Sequence, residues 1–414
     1  MKIPENLKKE YIPLYKSFFK WFLISSLTGI AVGFAGVLFA YSIKGVTSFR
    51  KAHNWIIWLL PIGGIVIVQL YRIMGFPEDK GTNMVLLTAR DGGKMGFKNT
   101  VCIFVASVIT HLLGGSSGRE GAALQIGGSM GSKFGQLLKS DDADRKILTM
   151  CGMSACFSAI FGTPVTSAVF ATEICTVGSV QYSAIVPCII SAVSAMKISE
   201  LCKVTDFELY INNAEYSLEN YGKIAVIGIL CAILSCLFCG ALKLSSKLYK
   251  KIKNPNLRIV TGGLIVAVLT FAIGTFDYNG AGSEIIEKAF AGESRPEAFI
   301  MKILFTALTL SAGYKGGEIV PVLFTGSTFG SLMAGLLGLD YSVGAGVGMV
   351  ALFCGMTNCP LASIILSVEL FGSSGFKFCA LACFISFMLS GYTSLYSVQN
   401  FMYSKIKPIK RKDG

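Results

Sequence analysis

A charged tetrapeptide inside an apolar, glycine-rich stretch is the strongest chemical feature of the sequence. Gly-Arg-Glu-Gly at residues 118–121 contains Arg119 and Glu120; it follows the apolar segment 100–113 and precedes AALQIGG, which is typical of the first turns of a helix. An ionisable residue within a membrane segment is costly, so it is by default a functional candidate. The alternative is a short polar loop between two spans, with both charges facing water.

The second half of the chain repeats this pattern. Glu318 lies in GGEIVP, residues 316–321, and follows Glu120 by 198 residues. A second pair of segments runs nine residues from a proline to a glutamate, at 164–173 and 360–369, and these prolines are 196 residues apart. Two motifs in one order at nearly one spacing indicate a tandem repeat of about half the chain.

The composition indicates a membrane protein. Of the 414 residues, 53% are hydrophobic and 15% are charged, whereas a soluble protein carries about 25% charged residues. Ten apolar segments recur between residues 21 and 396. Several are shorter than the roughly 20 residues that cross a bilayer, and glycine and proline interrupt them. Because broken backbone at membrane depth must be covered by protein or line a cavity, we expect an all-α transporter or channel with many short, tilted and broken helices.

The formal net charge of +13 comes from basic residues whose positions along the chain indicate one side of a membrane. Basic residues gather near the N-terminus, at 243–258 and at 405–412, whereas 199–220 is acidic. The positive-inside rule puts the three basic clusters, and hence both termini, in the cytoplasm. The sequence therefore predicts a multi-pass protein of the plasma membrane that contacts lipid and does not bind nucleic acid. An early apolar core and a cleavage site, the marks of a signal peptide, are lacking.

The same pattern predicts the domain organisation. Residues 1–20 form an amphipathic cytoplasmic segment, 21–198 a first membrane repeat, 199–220 an acidic linker, 221–400 a second repeat and 401–414 a basic cytoplasmic tail. The basic loops of the two halves do not alternate identically, which favours an inverted repeat. A substrate site then lies between the halves, near the midplane.

The cysteines and histidines of the sequence do not show the spacing of a metal or cofactor site. The 13 cysteines lie almost entirely in apolar segments without CxxC spacing, and only His53 and His111 are present. Buried free cysteine behaves as a small hydrophobe. We expect no metal site and no cofactor.

Two glycine-flanked helix starts that face each other would select an anion. Free backbone N–H groups and the positive ends of both helix dipoles would point at one place. Glu120, itself an anion, can occupy that place and should leave it when protonated, so that one residue serves as gate and proton carrier. A cation pathway would show several facing carboxylates or carbonyl-rich repeats.

The sequence resembles the CLC family of chloride channels and proton-coupled anion transporters over essentially its whole length. The family's GREGP motif is present at residues 118–122 with Ala122 in place of proline, and its GxFxP motif at 317–321 without the phenylalanine. Its GSGIP motif is reduced to 81–84, with Thr82 where the anion-binding serine is expected. Tyr396 matches the central tyrosine of the family.

The resemblance implies an inverted-repeat CLC fold, a homodimer and a set of site residues. Glu120 would be the external gating glutamate. The predicted anion-binding residues are Thr82, Gly118, Arg119, Gly121, Gly317, Ile319, Val320 and Tyr396. Alternatives remain for several side chains: Thr82 as a helix cap, Tyr396 as an interfacial anchor, and Arg119 as the partner of a buried carboxylate. Glu318 is either a capping carboxylate or a second acid in the proton route. Glu173 and Glu369 look structural or cytoplasmic-facing.

Departures from the family pattern favour its fluoride-exporting branch, which exchanges fluoride for protons. Ile174 stands where chloride/proton exchangers carry an internal glutamate, and GGE replaces the usual GxF. Electropositive ring edges of Phe324, Phe329 or Phe353 could assist fluoride, although core packing is the plainer role. The alternative within the same fold is a chloride channel or chloride/proton exchanger.

The sequence supports two other functions, a membrane-embedded enzyme and a membrane scaffold, less well than transport. A membrane-embedded enzyme would need a catalytic motif such as HExxH, GxxxxGK[ST] or a Ser/His pair, which the spans lack. A membrane scaffold would not need charged, glycine-flanked helix starts in duplicate. We therefore predict a transporter and not an enzyme.

Overall fold

The computed structural model describes residues 5–76, 80–204, 209–212, 214–407 and 409–410. Asp206 and Glu208 of the acidic stretch and Arg411 and Lys412 of the tail lie outside these residues. The described part of the first half contains α1 (Glu5–Ala52), a 3-10 helix (Asn54–Leu59), α2 (Leu60–Met74), α3 (Thr82–Asp91), α4 (Phe97–Leu112), α5 (Glu120–Leu137), α6 (Asp142–Phe161), α7 (Pro164–Glu173), β1 (Thr176–Val177) and α8 (Tyr182–Leu201).

The described part of the second half is also helical. It contains α9 (Leu218–Tyr249), α10 (Pro255–Ile273), α11 (Ser283–Phe290), α12 (Ala298–Ala312), α13 (Ile319–Leu337), α14 (Tyr341–Thr357), α15 (Pro360–Phe371), α16 (Phe376–Leu389) and β2 (Asn400–Phe401). The predicted linker is therefore shorter than 199–220, because α8 continues to Leu201 and α9 starts at Leu218.

Six helical stretches in the described chain are long and apolar enough to cross a membrane. They are Tyr11–Ala52, Asn54–Met74, Tyr182–Leu201, Leu218–Tyr249, Pro255–Ile273 and Ile319–Leu337. Five shorter apolar helices accompany them. The protein is thus a multi-pass all-α membrane protein built from long and short helices.

The first helix continues without a break across the predicted boundary at residue 20. α1 runs through it for 48 residues, which at 1.5 Å per residue is about 72 Å, well beyond the roughly 45 Å of a bilayer with its headgroups. The N-terminal segment is therefore continuous with the first span and is not a separate element.

Local sequence signals set the helix starts. α7 and α15 begin at Pro164 and Pro360, where a missing N–H costs nothing and the fixed φ suits a helix. The carboxylate of Asp141 accepts a hydrogen bond from Asp144 N at 2.8 Å and so caps α6. Proline and aspartate thus set where these three helices begin.

Glycines bring paired helices into backbone contact in both repeats. A Cβ on Gly127 of α5 would lie 2.0 Å from the carbonyl oxygen of Gly152 on α6. In the second repeat, a Cβ on Gly330 of α13 would lie 2.0 Å from the carbonyl oxygen of Gly344 on α14. Small residues permit this close packing in a bilayer, where a hydrophobic drive between helices is lacking.

Two glutamates at the ends of α7 and α15 each cap the other helix. Glu173, the last residue of α7, accepts hydrogen bonds from two N–H groups at the start of α15, at 3.2 and 2.9 Å. Glu369, near the end of α15, accepts from two N–H groups at the start of α7, at 2.9 and 2.8 Å. The two helices are therefore antiparallel, and equivalent parts of the two halves are inverted relative to each other.

The C-terminal segment joins the first repeat at one short parallel sheet. Thr176 and Val177 of β1 pair with Asn400 and Phe401 of β2. Beyond β2, the Lys405 ammonium donates to the Asn358 side-chain oxygen and to the Phe387 carbonyl oxygen, both at 2.6 Å. A cation at the C-terminal ends of α14 and α16 complements their dipoles, so the described part of the tail is anchored to the membrane domain.

Candidate anion site at two facing helix starts

The starts of α5 and α13 are joined by two backbone hydrogen bonds. Gly118 N donates to Gly317 O and Gly317 N donates to Gly118 O, both at 2.6 Å. A Cβ on Gly317 would lie 2.3 Å from Gly121 N, and a Cβ on Gly121 would lie 2.7 Å from the Gly317 Cα. Glycine is required at both positions because the two backbones touch.

This pairing corrects one part of the predicted site. Gly118 and Gly317 are predicted anion-binding residues, but the N–H of each donates to the carbonyl oxygen of the other glycine. The remaining donors lie in the first turns of α5 and α13. There the N–H groups of Gly121, Ile319 and Val320 have no acceptor in the same helix. The positive ends of both helix dipoles lie at the same place.

Glu120 is the first residue of α5 and its side chain is fully buried. Its Oε1 accepts a hydrogen bond from Arg119 Nε at 3.3 Å, whereas its buried Oε2 has no hydrogen-bond partner. Oε2 lies 2.6 Å from the place a Cβ on Gly118 would take, so the side chain folds back over the bridge. The buried carboxylate is thus paired with the guanidinium of Arg119 through Oε1, while Oε2 accepts no hydrogen bond.

Arg119 adopts the pairing role that was the alternative to anion binding. Besides Glu120, its guanidinium donates to the Ile160 carbonyl oxygen at 3.3 Å. It therefore links the start of α5 to the end of α6. The same side chain also lines a cavity.

Glu318 lies one position earlier in α13 than Glu120 does in α5, at the place that Arg119 holds before α5. It is the N-cap residue of α13, but its side chain makes no capping hydrogen bond. Its buried Oε2 has no hydrogen-bond partner and lies 3.2 Å from the point where a Cβ on Gly121 would sit. The geometry does not support the capping interpretation and places a second free carboxylate oxygen beside the start of α5.

Thr82 faces the same point as Glu318. Its Oγ1 lies 3.4 Å from the Cβ position of Gly121. Gly81, not Thr82, is the N-cap of α3, and Thr82 makes no capping hydrogen bond; the helix-cap alternative therefore does not hold. Thr82 is the first residue of α3, and its hydroxyl lies beside the start of α5.

Gln125 is a buried polar residue beside Thr82 that is not among the residues predicted from the sequence. Its Nε2 donates to Thr82 Oγ1 at 3.2 Å and to Gly121 O at 3.3 Å. Because the Thr82 oxygen is already accepting, its own hydrogen must point to another acceptor. The available signal was a lone glutamine in the otherwise apolar AALQIGG.

Tyr396 lies in the loop after α16 with 2% of its surface exposed, so it is not an interfacial anchor. Its hydroxyl is buried without a hydrogen-bond partner and lies within electrostatic range of both Glu318 and Glu120. Buried hydroxyls are normally hydrogen-bonded. The tyrosine therefore holds a buried hydroxyl donor that no other described group uses.

The aromatic candidates mostly serve packing. Phe353 packs against Phe170 at 5.4 Å between ring centroids, and Phe329 against Phe299 at 5.1 Å. Phe324 is different, because the ammonium of a fully buried lysine, Lys302, lies 4.9 Å from its ring centroid. That lysine, isolated in apolar α12, was a second signal missed in the sequence.

The position of the internal glutamate of chloride/proton exchangers holds a packed aliphatic residue. Ile174 is completely buried, and its carbonyl oxygen accepts a hydrogen bond from Gln399 at 2.9 Å. An isoleucine side chain cannot carry a proton, so a proton route would have to use other groups.

The inverted halves, the broken helices and the two facing helix starts define a membrane transport protein for anions. The family model of the voltage gated chloride channel matches residues 70–391. A chloride/fluoride channel protein of Pseudomonas syringae pv. tomato is 33% identical over 408 residues, which cover 96% of this chain and 90% of the relative. The chain belongs to the voltage gated chloride channel family, the CLC family, and is a CLC anion transporter.

Solved structures agree with this assignment. A CLC-type fluoride/proton antiporter superposes with a TM-score of 0.90 at 28% identity, over 94% of this chain and 99% of that one. A slow cyanobacterial Cl−/H+ antiporter superposes with a TM-score of 0.77 at 18% identity, over 89% and 94% of the two chains. The second likeness concerns the fold alone.

Proposed function

We propose that the protein exports fluoride across the plasma membrane in exchange for protons, as a homodimer with both termini in the cytoplasm. The orientation follows from the three basic clusters. The substrate follows from the similarity to the chloride/fluoride channel protein and to the fluoride/proton antiporter, together with the chemistry of the site. In this proposal the protein moves ions and is not an enzyme.

One observation carries the proposal: two carboxylates with unpaired, buried oxygens stand at the two facing helix starts. Glu120 Oε2 and Glu318 Oε2 both lack a hydrogen-bond partner. Ionised, Glu120 competes with the anion for the N–H groups of the helix starts. Protonated, it no longer benefits from the positive dipole ends, so it yields that place and carries its proton away.

Glu318 is proposed as the second acid of the proton route. It stands on the opposite repeat from Glu120 and next to Thr82, with the Tyr396 hydroxyl in electrostatic range. Since Ile174 blocks the internal position used by chloride/proton exchangers, Glu318 is the acid from which a proton would continue.

The donors around these carboxylates suit a small, strongly hydrated anion. The available donors are small groups, each of which can replace one water molecule of the anion's hydration shell. They are the hydroxyls of Thr82 and Tyr396 and the N–H groups of Gly121, Ile319 and Val320. Fluoride loses a large hydration energy on entry, so it needs short, strong hydrogen bonds. A larger, more weakly hydrated anion such as chloride gains less from them.

Ion efflux from proteoliposomes tests the proposal. Fluoride and chloride electrodes and an internal pH dye are read together on the full chain. Fluoride efflux that drives proton uptake, with chloride nearly silent, is expected. Chloride flux as fast as fluoride flux would instead support the chloride channel or chloride/proton exchanger of the same fold, and fluoride flux without proton movement would contradict the exchange.

A further inference from the structure

The loop that carries Tyr396 is held by one buried glutamine, Gln399, of which 8% of the surface is exposed. The backbone N–H of Gln399 donates to the Tyr396 carbonyl oxygen at 3.2 Å. The Tyr396 N–H in turn donates to Ser394 Oγ at 3.1 Å, and that hydroxyl donates to Gln399 Oε1 at 2.7 Å. Gln399 therefore holds both backbone polar groups of Tyr396, one directly and one through Ser394.

The side chain of Gln399 uses its whole hydrogen-bonding capacity. Its Nε2 donates to Ile174 O at 2.9 Å and to Thr357 O at 2.7 Å. Its Oε1 accepts from Ser394 and, at 3.2 Å, from Asn358 Nδ2. A glutamine side chain has two N–H donors and one oxygen with two lone pairs, so all of them are occupied. A buried polar network in which every group is satisfied favours a single geometry.

The two carbonyl groups that accept from Gln399 belong to different halves of the chain. Ile174 directly follows α7 in the first half, and Thr357 is the last residue of α14 in the second half. Carbonyl groups at the C-terminal end of a helix have no partner within that helix, and the amide of Gln399 supplies one at each of these ends. The position of Tyr396 is therefore set by both halves and not by its own loop alone.

Asn358 extends this network to the C-terminal segment. Its backbone is left-handed, with φ of 57°, which asparagine adopts more readily than most residues. Its Nδ2 also donates to Thr393 O at 3.0 Å, and its Oδ1 accepts from the Lys405 ammonium at 2.6 Å. A continuous chain of hydrogen bonds thus runs from the backbone of Tyr396 to the tail.

The residues between Tyr396 and Gln399 are bound to α3, the helix that begins with Thr82. Val398 N donates to Asn83 Oδ1 at 3.4 Å, and Val398 O accepts from Arg90 Nη1 at 2.8 Å. These bonds tie the loop of Tyr396 to the helix of Thr82. A shift of the loop would therefore change the position of the tyrosine hydroxyl relative to the threonine hydroxyl.

We propose that Gln399 is a positioning residue for anion binding: it fixes the backbone at Tyr396, so that the tyrosine hydroxyl meets the transported fluoride ion. The inference rests on the proposed function and deepens it. Both side-chain N–H hydrogens of Gln399 are given to helix ends, so Gln399 does not bind the ion itself. The buried Tyr396 hydroxyl has no hydrogen-bond partner in the described chain. A displacement of about 1 Å would take that hydroxyl out of hydrogen-bond range of the ion.

The affinity for fluoride tests this role separately from protein stability. Isothermal titration calorimetry in detergent measures the affinity, and proteoliposome efflux measures the maximal rate. Gln399→Leu and Tyr396→Phe should each weaken fluoride binding about tenfold, the value of one hydrogen bond to a charged group. The double variant should bind no more weakly than Tyr396→Phe, because Gln399 acts through the tyrosine. The maximal rate should change by less than about twofold, since the lost interaction is one of binding.

Gln136→Leu is the matched control. Gln136 Nε2 donates to Met95 O at 2.7 Å, so the same substitution again removes a hydrogen bond from an amide to a carbonyl oxygen. Gln136 lies at the opposite end of α5 from Glu120. This variant should have a lower melting temperature, as Gln399→Leu should, but an unchanged affinity for fluoride.

Ser394→Ala covers the case in which Gln399→Leu fails to fold. It removes only the hydroxyl between Tyr396 N and Gln399 Oε1, and it should weaken fluoride binding about threefold. Affinities of Gln399→Leu or Ser394→Ala equal to that of Gln136→Leu would overturn the proposal. So would a double variant whose loss of affinity is the product of the two single losses.

The proposed function and the role of Gln399 fail in different ways in these measurements. If the unaltered protein binds fluoride but shows no proton-coupled flux, the proposed exchange is wrong, while the affinities still decide the role of Gln399. If the unaltered protein binds and transports chloride and not fluoride, the proposed substrate is wrong, and the same variants are compared with chloride.

Discussion

Gly118 and Gly317 exchange a pair of backbone hydrogen bonds, each 2.6 Å from nitrogen to oxygen. They occupy equivalent places in the two inverted repeats, one residue before Arg119 and Glu318. The bridge fixes the distance between the starts of α5 and α13, so that the donors and carboxylates of both repeats share one region. Each half of the chain contributes one donor and one acceptor to this contact.

The bridge predicts that Gly317→Ala disrupts the site. The new Cβ would lie 2.3 Å from Gly121 N, which forces the two helix starts apart. We expect a loss of stability of about 1–3 kcal/mol from overpacking and loss of most fluoride flux. Thermal unfolding in detergent and proteoliposome efflux measure the two effects.

Gly240→Ala is the matched control, because a Cβ on Gly240 of α9 meets no atom within 4 Å. It should retain full flux and gain up to about 1 kcal/mol in helix stability. Equal behaviour of the two variants would show that the glycine contact is not required.

Glu120→Gln should separate anion movement from proton movement. Glutamine keeps the shape of the side chain but can neither ionise nor carry a proton. Fluoride flux is expected to persist without proton uptake and to become insensitive to a pH gradient across the membrane. Unaltered proton coupling in the electrode and pH-dye assay would rule out Glu120 as the gate. Glu219→Gln serves as control, since that carboxylate is exposed in an ion pair with Lys223.

Glu318→Gln distinguishes a second acid from a structural carboxylate. Since the Glu318 side chain makes no capping hydrogen bond, its replacement should leave the melting temperature unchanged. Proton transport should nevertheless fall to background while some anion flux remains. A variant with normal coupling would remove Glu318 from the proton route, and a large drop in melting temperature would indicate a structural role.

Gln125 and Thr82 should act as one unit on anion affinity. Thr82→Val removes a hydroxyl donor, and Gln125→Leu removes the amide that orients it at 3.2 Å. Each is expected to raise the fluoride concentration for half-maximal transport by roughly threefold to tenfold, the value of a net hydrogen bond. The double variant should be little worse than either single one, because the interaction is shared. Fully additive effects would mean that Gln125 does not work through Thr82.

The reciprocal caps predict a stability effect without a transport effect. Glu369→Gln weakens two hydrogen bonds of 2.9 and 2.8 Å from the start of α7 to a charged acceptor. We expect destabilisation of about 1–3 kcal/mol, read as a lower melting temperature, with proton-to-fluoride coupling unchanged. Glu219→Gln should change little, as exposed ion pairs contribute at most about 1 kcal/mol. A change in coupling ratio would give Glu369 a role in the ion pathway.

The class of fold and the general location of the candidate site can be predicted from the order and types of the residues. Composition and segment length indicate that the protein spans a membrane, because a chain with few charged residues and many apolar segments is suited to a lipid environment and not to water. The repeated Glu120 and Glu318 motifs indicated two related halves. These conclusions depend on residue type and spacing, which sequence displays directly.

The hydrogen-bond partners of the individual groups become visible in three dimensions alone. Gly118 and Gly317 bond to each other and not to an anion, Gln125 holds Thr82, and Gln399 joins the ends of α7 and α14. Each of these contacts is made between residues that are far apart in the sequence or that helix packing brings together. A hydrogen bond depends on a few tenths of an ångström in three dimensions, and spacing along the chain does not specify that distance.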